Sequence, residues 1–347
     1  VEGSDIVIYD SRRVLTVIRV VDRIDGGIDV GYGVKFFVIT DLRKWVLCDE
    51  GGVIGEYVWG KGYEFIRGVI KRLYVYLFWG YDERYSEGYW VCRLMEYIEF
   101  FSLCLSGVSK GVYEWLRGLG VSFLNEGRVS RLLALLFSMK LLYRKKDFYE
   151  FMRSLGLEIP GEARNLFRKV EKRYRKDVEG FKEVFRSFDF SYDVLGKVYE
   201  RILSYEDKVR FGQYYTSADL VDLILGLCLR GGERVLDGGC GTGAFLLRAS
   251  EKAGYLCGVE VMKLPSVIAK YNLCMRGANF DIYNMDFFDF REGGFDVVVG
   301  NPPFVRDENY DKEKVSKVVG EIDKNADLYV YFIMYSTRLL RDGGRLG

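Results

Sequence analysis

Phe295-Asp-Val-Val-Val-Gly-Asn-Pro-Pro-Phe304 is the stretch on which the fold turns. Phe295 to Val299 is a run of apolar and β-branched residues bounded by Gly300, the pattern of a strand covered on both faces in a parallel sheet. Pro302 and Pro303 then end the strand, because each ring fixes φ and removes an N–H. A stiff corner at the carboxyl end of a parallel strand lies where open α/β sheets hold their ligands. Asn301 offers a side-chain oxygen and Pro302 a backbone carbonyl. Together they can accept both hydrogens of an exocyclic amine whose lone pair is delocalised into a ring. Two fixed acceptors pull that nitrogen toward a tetrahedral, nucleophilic form, which is electrostatic preorganisation without a metal. Phe304 can stack on the flat base, worth roughly 1–3 kcal/mol. By themselves the ten residues also read as a tight turn over a buried phenylalanine, and the neighbouring stretches decide between the two.

Upstream, Arg234-Val-Leu-Asp-Gly-Gly-Cys-Gly-Thr-Gly-Ala-Phe-Leu246 reads as strand, glycine turn and helix. Gly239, Gly241 and Gly243 let the backbone approach a ligand closely. The spacing is neither the dinucleotide fingerprint nor a phosphate loop with its lysine. Asp237 closes the strand instead, which favours a ligand with a cationic amine. A second strand, Tyr255 to Val259, runs into Glu260, a carboxylate placed to accept ribose hydroxyls. A third, Asp281 to Asp286, is expected to end in an acid facing an adenine amine. Three acids at successive strand ends describe a nucleoside pocket. Before them lies Gly212-Gln-Tyr-Tyr-Thr216, which could fold over a cofactor. Thr216 or Ser217 is expected to cap a helix starting at Ala218.

Composition bounds the rest. The chain has 347 residues, room for two or three domains, and a net charge of +1, so nucleic-acid contacts must come from local patches. The absence of histidine excludes His-based triads, general bases and metal sites. Seven cysteines with no Cys-x-x-Cys pair argue against a zinc site or a disulfide framework and suggest reduced thiols in a cytoplasmic protein. No metal is expected. No signal peptide or membrane span is expected either, the longest apolar run, Leu132 to Tyr143, being broken by Lys140.

Residues 1–58 read as a β-rich module, with strand-like runs at Asp5–Asp10, Val14–Val21, Phe36–Thr40 and Trp45–Cys48. Their order resembles the N-terminal nuclease domain of type I and fused restriction enzymes, which holds Mg²⁺ with two carboxylates and uses a lysine. Asp5 matches the first carboxylate. Arg19 and Val21 fall where the resemblance expects Glu and Lys, so a nuclease-like fold without nuclease activity is expected. Residues 59–190 read as a helical connector, with apolar residues at three- and four-residue spacing over Tyr63–Phe78, Tyr89–Leu105, Val112–Leu119 and Val129–Tyr143. Arg164 to Lys176 forms one basic helix, either a solvated face or a contact to DNA phosphates.

With these residues placed, residues 191–347 resemble the S-adenosylmethionine-dependent N6-adenine DNA methyltransferases, as found in type I modification subunits and fused type IIG restriction–modification proteins. The resemblance implies an α/β, Rossmann-like methyltransferase sheet. It implies that Tyr215 and Thr216 enclose S-adenosyl-L-methionine and that Asp237 and the turn through Gly239, Gly241 and Gly243 hold its methionine part. Glu260 would then bind the ribose and Asp286 the cofactor adenine. Asn301 and Pro302 would grip the N6 amine of a flipped adenine, and Phe304 would stack on it. The implied partners are double-stranded DNA and a specificity or restriction subunit. Three departures stand out, the first being Ser217 where a proline usually follows the threonine at 216. Gly238-Gly239 replace the usual Pro-Ala, which should loosen the turn, and the sheet is expected to stop within its fifth strand at Gly347, as in a truncated product. The same corner also suits N4-cytosine, ribosomal RNA guanine or protein glutamine methylation, and a decayed, non-catalytic DNA-binding fragment would keep the fold.

Overall fold

The computed structural model describes residues 87–105, 107–121, 124–188, 190–203, 216–304, 311–320 and 326–347, and the backbone of five strands between residues 5 and 58. The chain divides into two compact units, 1–92 and 93–347.

In the first unit, β1 (Asp5–Asp10), β2 (Arg13–Val20), β3 (Phe36–Thr40), β4 (Lys44–Asp49) and β5 (Gly52–Val58) form one sheet in sequence order. Only β2 and β3 run parallel. The strands expected here all form, and β5 is added to them. Asp5 pairs in register with Arg19 across β1 and β2. Val21 lies outside the described residues, as does the helix expected over Tyr63–Phe78.

Helices follow, and the boundary between the units falls inside the first of them. These are α1 (Glu87–Cys104), α2 (Lys110–Gly118), α3 (Glu126–Leu142), α4 (Phe148–Ser154), α5 (Gly161–Arg173), α6 (Arg175–Val184) and α7 (Val194–Ile202). The basic segment is two helices, not one. At Tyr174 the backbone leaves helical geometry (φ −114°, ψ 42°), although its N–H still reaches the Val170 carbonyl. Aromatic rings fuse the layer. Phe101 meets Phe137 edge-on at 4.9 Å, and Phe137 meets Phe167 at 5.3 Å.

Then come α8 (Ala218–Cys228), β6 (Arg234–Asp237), α9 (Ala244–Ala249), β7 (Tyr255–Val259), α10 (Lys263–Arg276) and β8 (Phe280–Tyr283). β9 (Phe295–Val299), α11 (Lys312–Val319), α12 (Leu328–Leu339) and β10 (Leu340–Leu346) complete the chain. The five strands form a parallel sheet in the order β10-β9-β6-β7-β8. Counted from β6, this is 3-2-1-4-5, the doubly wound order, with its switch point between β6 and β9. Alternation along the strands builds two cores. Val235, Val297 and Val299 pack with Val221, Phe245 and Leu273 from α8, α9 and α10. Leu236 and Val298 pack on the other side with Phe287, Tyr331 and Tyr335. The Tyr271 hydroxyl on α10 donates to the Met139 carbonyl on α3 at 2.7 Å, joining the helical layer to the sheet. Among the described residues no helix is long and apolar enough to cross a membrane.

Candidate active site

Asp237 and Val299 are partners in register at the carboxyl ends of β6 and β9. The corner Gly300-Asn301-Pro302-Pro303 therefore begins beside Asp237, on the other side of the switch point. Gly300 has φ +154°, and a Cβ on it would stand 2.7 Å from Asp237 Oδ1. Glycine is required there by both the backbone angle and the approach of the carboxylate.

The glycine turn is held from below. The Gly239 N–H donates to Asp237 Oδ1 at 3.3 Å, and the Cys240 N–H donates to the Val259 carbonyl at 3.0 Å. Gly241 (φ +55°) and Gly243 (φ +91°) turn the chain back into α9. A Cβ on Gly238 would meet the Phe287 ring at 2.5 Å, and Phe287 itself stacks on Phe332. The expectation that Gly238 loosens this turn is therefore corrected, because an aromatic ring fills the space that a side chain would need.

Glu260 follows β7 directly and is buried. Its Oε2 accepts the Gly241 N–H at 3.0 Å and its Oε1 the Met262 N–H at 2.7 Å. A carboxylate has about four acceptor positions, so each oxygen retains one for a ligand. Burial pushes both acids up to about 7. For Asp237 the Gly239 N–H opposes this and the Glu260 charge adds to it, whereas for Glu260 the two backbone donors oppose it. Neither forms an ion pair among the described residues. Two buried carboxylates without a counter-cation, beside a glycine turn, fit a ligand that brings positive charge. S-adenosyl-L-methionine has such charge in its ammonium and sulfonium groups.

Asp286 differs from expectation. β8 ends at Tyr283, and Asp286 lies three residues on, capping a single 3₁₀ turn over Phe287–Asp289. Its Oδ1 accepts the Phe288 N–H at 3.0 Å and its Oδ2 accepts from Lys314 Nζ at 2.7 Å, which also reaches Asp289. The asparagine at 284 turned the chain early, because its amide donates to the carbonyls of Glu260 and Val261. Ser217 occupies the N-cap of α8 without a side-chain cap bond, so the hydroxyl cap expected of it does not form. Thr216 stands just before it and is partly exposed, and Tyr215 lies outside the described residues. Asn301 and Pro302 are half-buried. Phe304 is 56% exposed, and its ring lies 5.8 Å from Tyr329 at the start of α12.

Three residues that sequence reasoning missed anchor the turn. Asp193 is buried at the N-cap of α7 and accepts the Gly196 N–H at 2.9 Å, the Thr242 hydroxyl, and the Asn272 amide at 2.8 Å. The Asn272 amide also reaches the Thr242 carbonyl at 3.3 Å. A Cβ on Gly196 would collide with Thr242 and Asp193. Asp193 before Val194-Leu-Gly-Lys is a legible helix cap, but its contacts with residues 49 and 79 positions away are not.

A parallel sheet of this order, with a glycine turn and paired acids across the switch point from an Asn-Pro-Pro-aromatic corner, defines a Rossmann-like methyltransferase domain. Residues 190–347 match the family model described as N-6 DNA Methylase. The methylase subunit of the type I restriction enzyme MjaIX from Methanocaldococcus jannaschii is 32% identical over 139 residues, 35% of this chain and 25% of that protein. The modification methylase CviBIII of Paramecium bursaria Chlorella virus NC1A is 29% identical over 148 residues, 39% of this chain and 36% of that protein. The chain thus spans well under half the length of these relatives. Among solved structures, a modification subunit of a type I restriction enzyme from Vibrio vulnificus is 18% identical, with a TM-score of 0.39, covering 72% of this chain and 67% of that one.

Proposed function

We propose that this chain transfers a methyl group from S-adenosyl-L-methionine to the N6 amine of adenine in double-stranded DNA, as part of a restriction–modification system. The observation that carries the reading is the register of Asp237 with Val299, which sets the acid of the glycine turn beside the Asn301-Pro302 corner. When bound, the cofactor supplies an electrophilic methyl group on a sulfonium. Asp237 and the turn from Gly239 to Gly243 would hold its methionine ammonium, Glu260 its ribose hydroxyls, and Asp286 its adenine amine. The last role requires Asp286 Oδ2 to be shared with Lys314. Tyr215 and Thr216 would close over the same ligand.

The Asn301 Oδ1 atom and the Pro302 carbonyl accept the two amine hydrogens and rotate the nitrogen lone pair out of conjugation. A bound cofactor would supply the methyl group, and Asn301 and Pro302 would keep that lone pair available to accept it. The proton released from nitrogen leaves through these acceptors to water. Phe304 stacks on the extruded base, and its exposure suits a surface that meets its ligand from outside. Flipping costs a few kcal/mol, which this stacking and the two hydrogen bonds offset. A specificity or restriction subunit is the natural further partner, and the first unit is a nuclease-like module without activity.

The test is to incubate the chain with unmethylated duplex DNA and the cofactor, digest to nucleosides and identify them by mass spectrometry. N6-methyladenine is expected, and it should vanish with Asn301→Ala while cofactor binding persists. N4-methylcytosine would transfer the same mechanism to the other base. No modified nucleoside from a folded chain that binds the cofactor would overturn the DNA reading.

A further inference from the structure

Away from the switch point, α5 and the first turn of α6 carry the strongest local charge. Residues 161–176 hold seven arginines and lysines against two glutamates, in a chain whose net charge is +1. Both glutamates are engaged elsewhere. Glu162 accepts the Ser109 hydroxyl at the start of α2, and Glu171 pairs with Lys140 on α3. Arg164 is also turned inward, donating to the Ile159 carbonyl and lying over the Tyr149 ring. Arg168, Lys169, Lys172, Arg173 and Lys176 remain on the outer side, all exposed. Arg168 donates to the Asn165 side-chain oxygen at 3.3 Å, and Arg173 lies over Tyr174. Lys169, Lys172 and Lys176 form no ion pair among the described residues. Arg175 is paired with Glu179, and Asp177 acts electrostatically on Tyr97 and Cys104 of α1.

The opposite side of the same segment is fixed. Ala163, Phe167 and Val170 on α5 and Val178 and Phe181 on α6 are buried. The two helices meet at Tyr174, whose N–H closes α5 on the Val170 carbonyl at 2.9 Å and whose carbonyl opens α6 by accepting the Val178 N–H at 3.0 Å. On α5, Arg168, Lys169, Lys172 and Arg173 therefore lie along a rise of ~8 Å, and Lys176 follows in the first turn of α6. One strand of duplex DNA carries a phosphate every ~3.4 Å of axis, so the row on α5 matches two or three phosphates and Lys176 adds a further contact.

We propose that the outward face of α5 and the start of α6 docks the phosphate backbone of double-stranded DNA outside the methylation site. It rests on the DNA substrate of the reading above, but not on methyl transfer. The packed inner face holds the cations in place, so binding need not order the helix. Contacts of this kind set register and affinity without reading sequence.

The experiment measures binding of the full chain to a labelled duplex by fluorescence anisotropy at several salt concentrations, without cofactor. The variant Lys169→Gln/Lys172→Gln/Lys176→Gln is compared with the exposed-lysine control Lys110→Gln/Lys252→Gln/Lys317→Gln. Glutamine keeps a helix well, and far-ultraviolet circular dichroism checks that it has. The expected result is weaker binding and a slope of log K against log salt smaller by about 2.7, at about 0.9 per lost phosphate contact, in the first variant alone. Equal slopes in the two variants, or a change seen with RNA and not with duplex DNA, would overturn the proposal. Methyl transfer is assayed separately. A lowered slope without methyl transfer overturns the catalytic reading and leaves this surface standing, and methylation with equal slopes does the reverse.

Discussion

Asp237 and Glu260 are the residues whose state most constrains the site. Both are buried, and burial raises both to about 7. The unfolded values are near 4, so between about pH 4 and 7 the folded chain holds protons that the unfolded chain has lost. Stability of the ligand-free chain therefore falls as pH rises through that window and levels off above 7. A cationic ligand prefers the ionised pair, so affinity for S-adenosyl-L-methionine should rise from pH 6 to pH 8 and then flatten. Calorimetric titration in buffers of different ionisation enthalpy should show proton release on binding at pH 6.5. A pH-independent affinity would contradict the assignment of these acids to the cofactor. Gly238 gives a second prediction at this scale. Gly238→Ala puts a methyl group against the Phe287 ring, which is packed on Phe332 and cannot swing away. The expected loss is about 1–3 kcal/mol of unfolding free energy in urea, the usual cost of overpacking.

Among the elements, α7 anchors the glycine turn through Asp193. One carboxylate caps its own helix and holds Thr242 and Asn272. Asp193→Ala removes an N-cap and leaves buried polar partners unsatisfied, so a loss of about 2–4 kcal/mol is expected in chemical denaturation. Cofactor affinity should fall with it, because the turn loses its support. An unchanged midpoint would show that the knot contributes nothing. Element boundaries were less legible than element types. The helix at 164–176 reads as one because Leu166, Phe167, Val170 and Tyr174 keep a single stripe, yet the backbone leaves helical geometry at Tyr174. The third strand reads through to Asp286 because Ile282 and Tyr283 look β-like, and two hydrogen bonds from Asn284 end it.

For the molecule as a whole, the first unit bears on what else the chain does. Asp5 and Arg19 are register partners in β1 and β2, and the arginine occupies the position where the nuclease resemblance expects a glutamate. A cation at that position opposes Mg²⁺ binding. Supercoiled plasmid incubated with the chain and Mg²⁺ should remain uncut on an agarose gel, and cleavage that Asp5→Ala abolishes would overturn this. In the second unit, helices and sheet form one compact body, so the basic face of α5 is carried on the same body as the Asn301-Pro302 corner.

The sequence by itself determined the parallel sheet, the glycine turn, the acids at the ends of β6 and β7, and the Asn-Pro-Pro-Phe corner. These depend on interactions within a few residues: β-branched runs, the conformational range of glycine and the rigidity of proline. Only the tertiary structure decided that Asp237 abuts Gly300, that Phe287 fills the space above Gly238, that Lys314 lies on Asp286, and that Asp193 ties Thr242 to Asn272. Each of these joins residues tens of positions apart. The packing of the folded layers selects such pairs, and no local pattern encodes them.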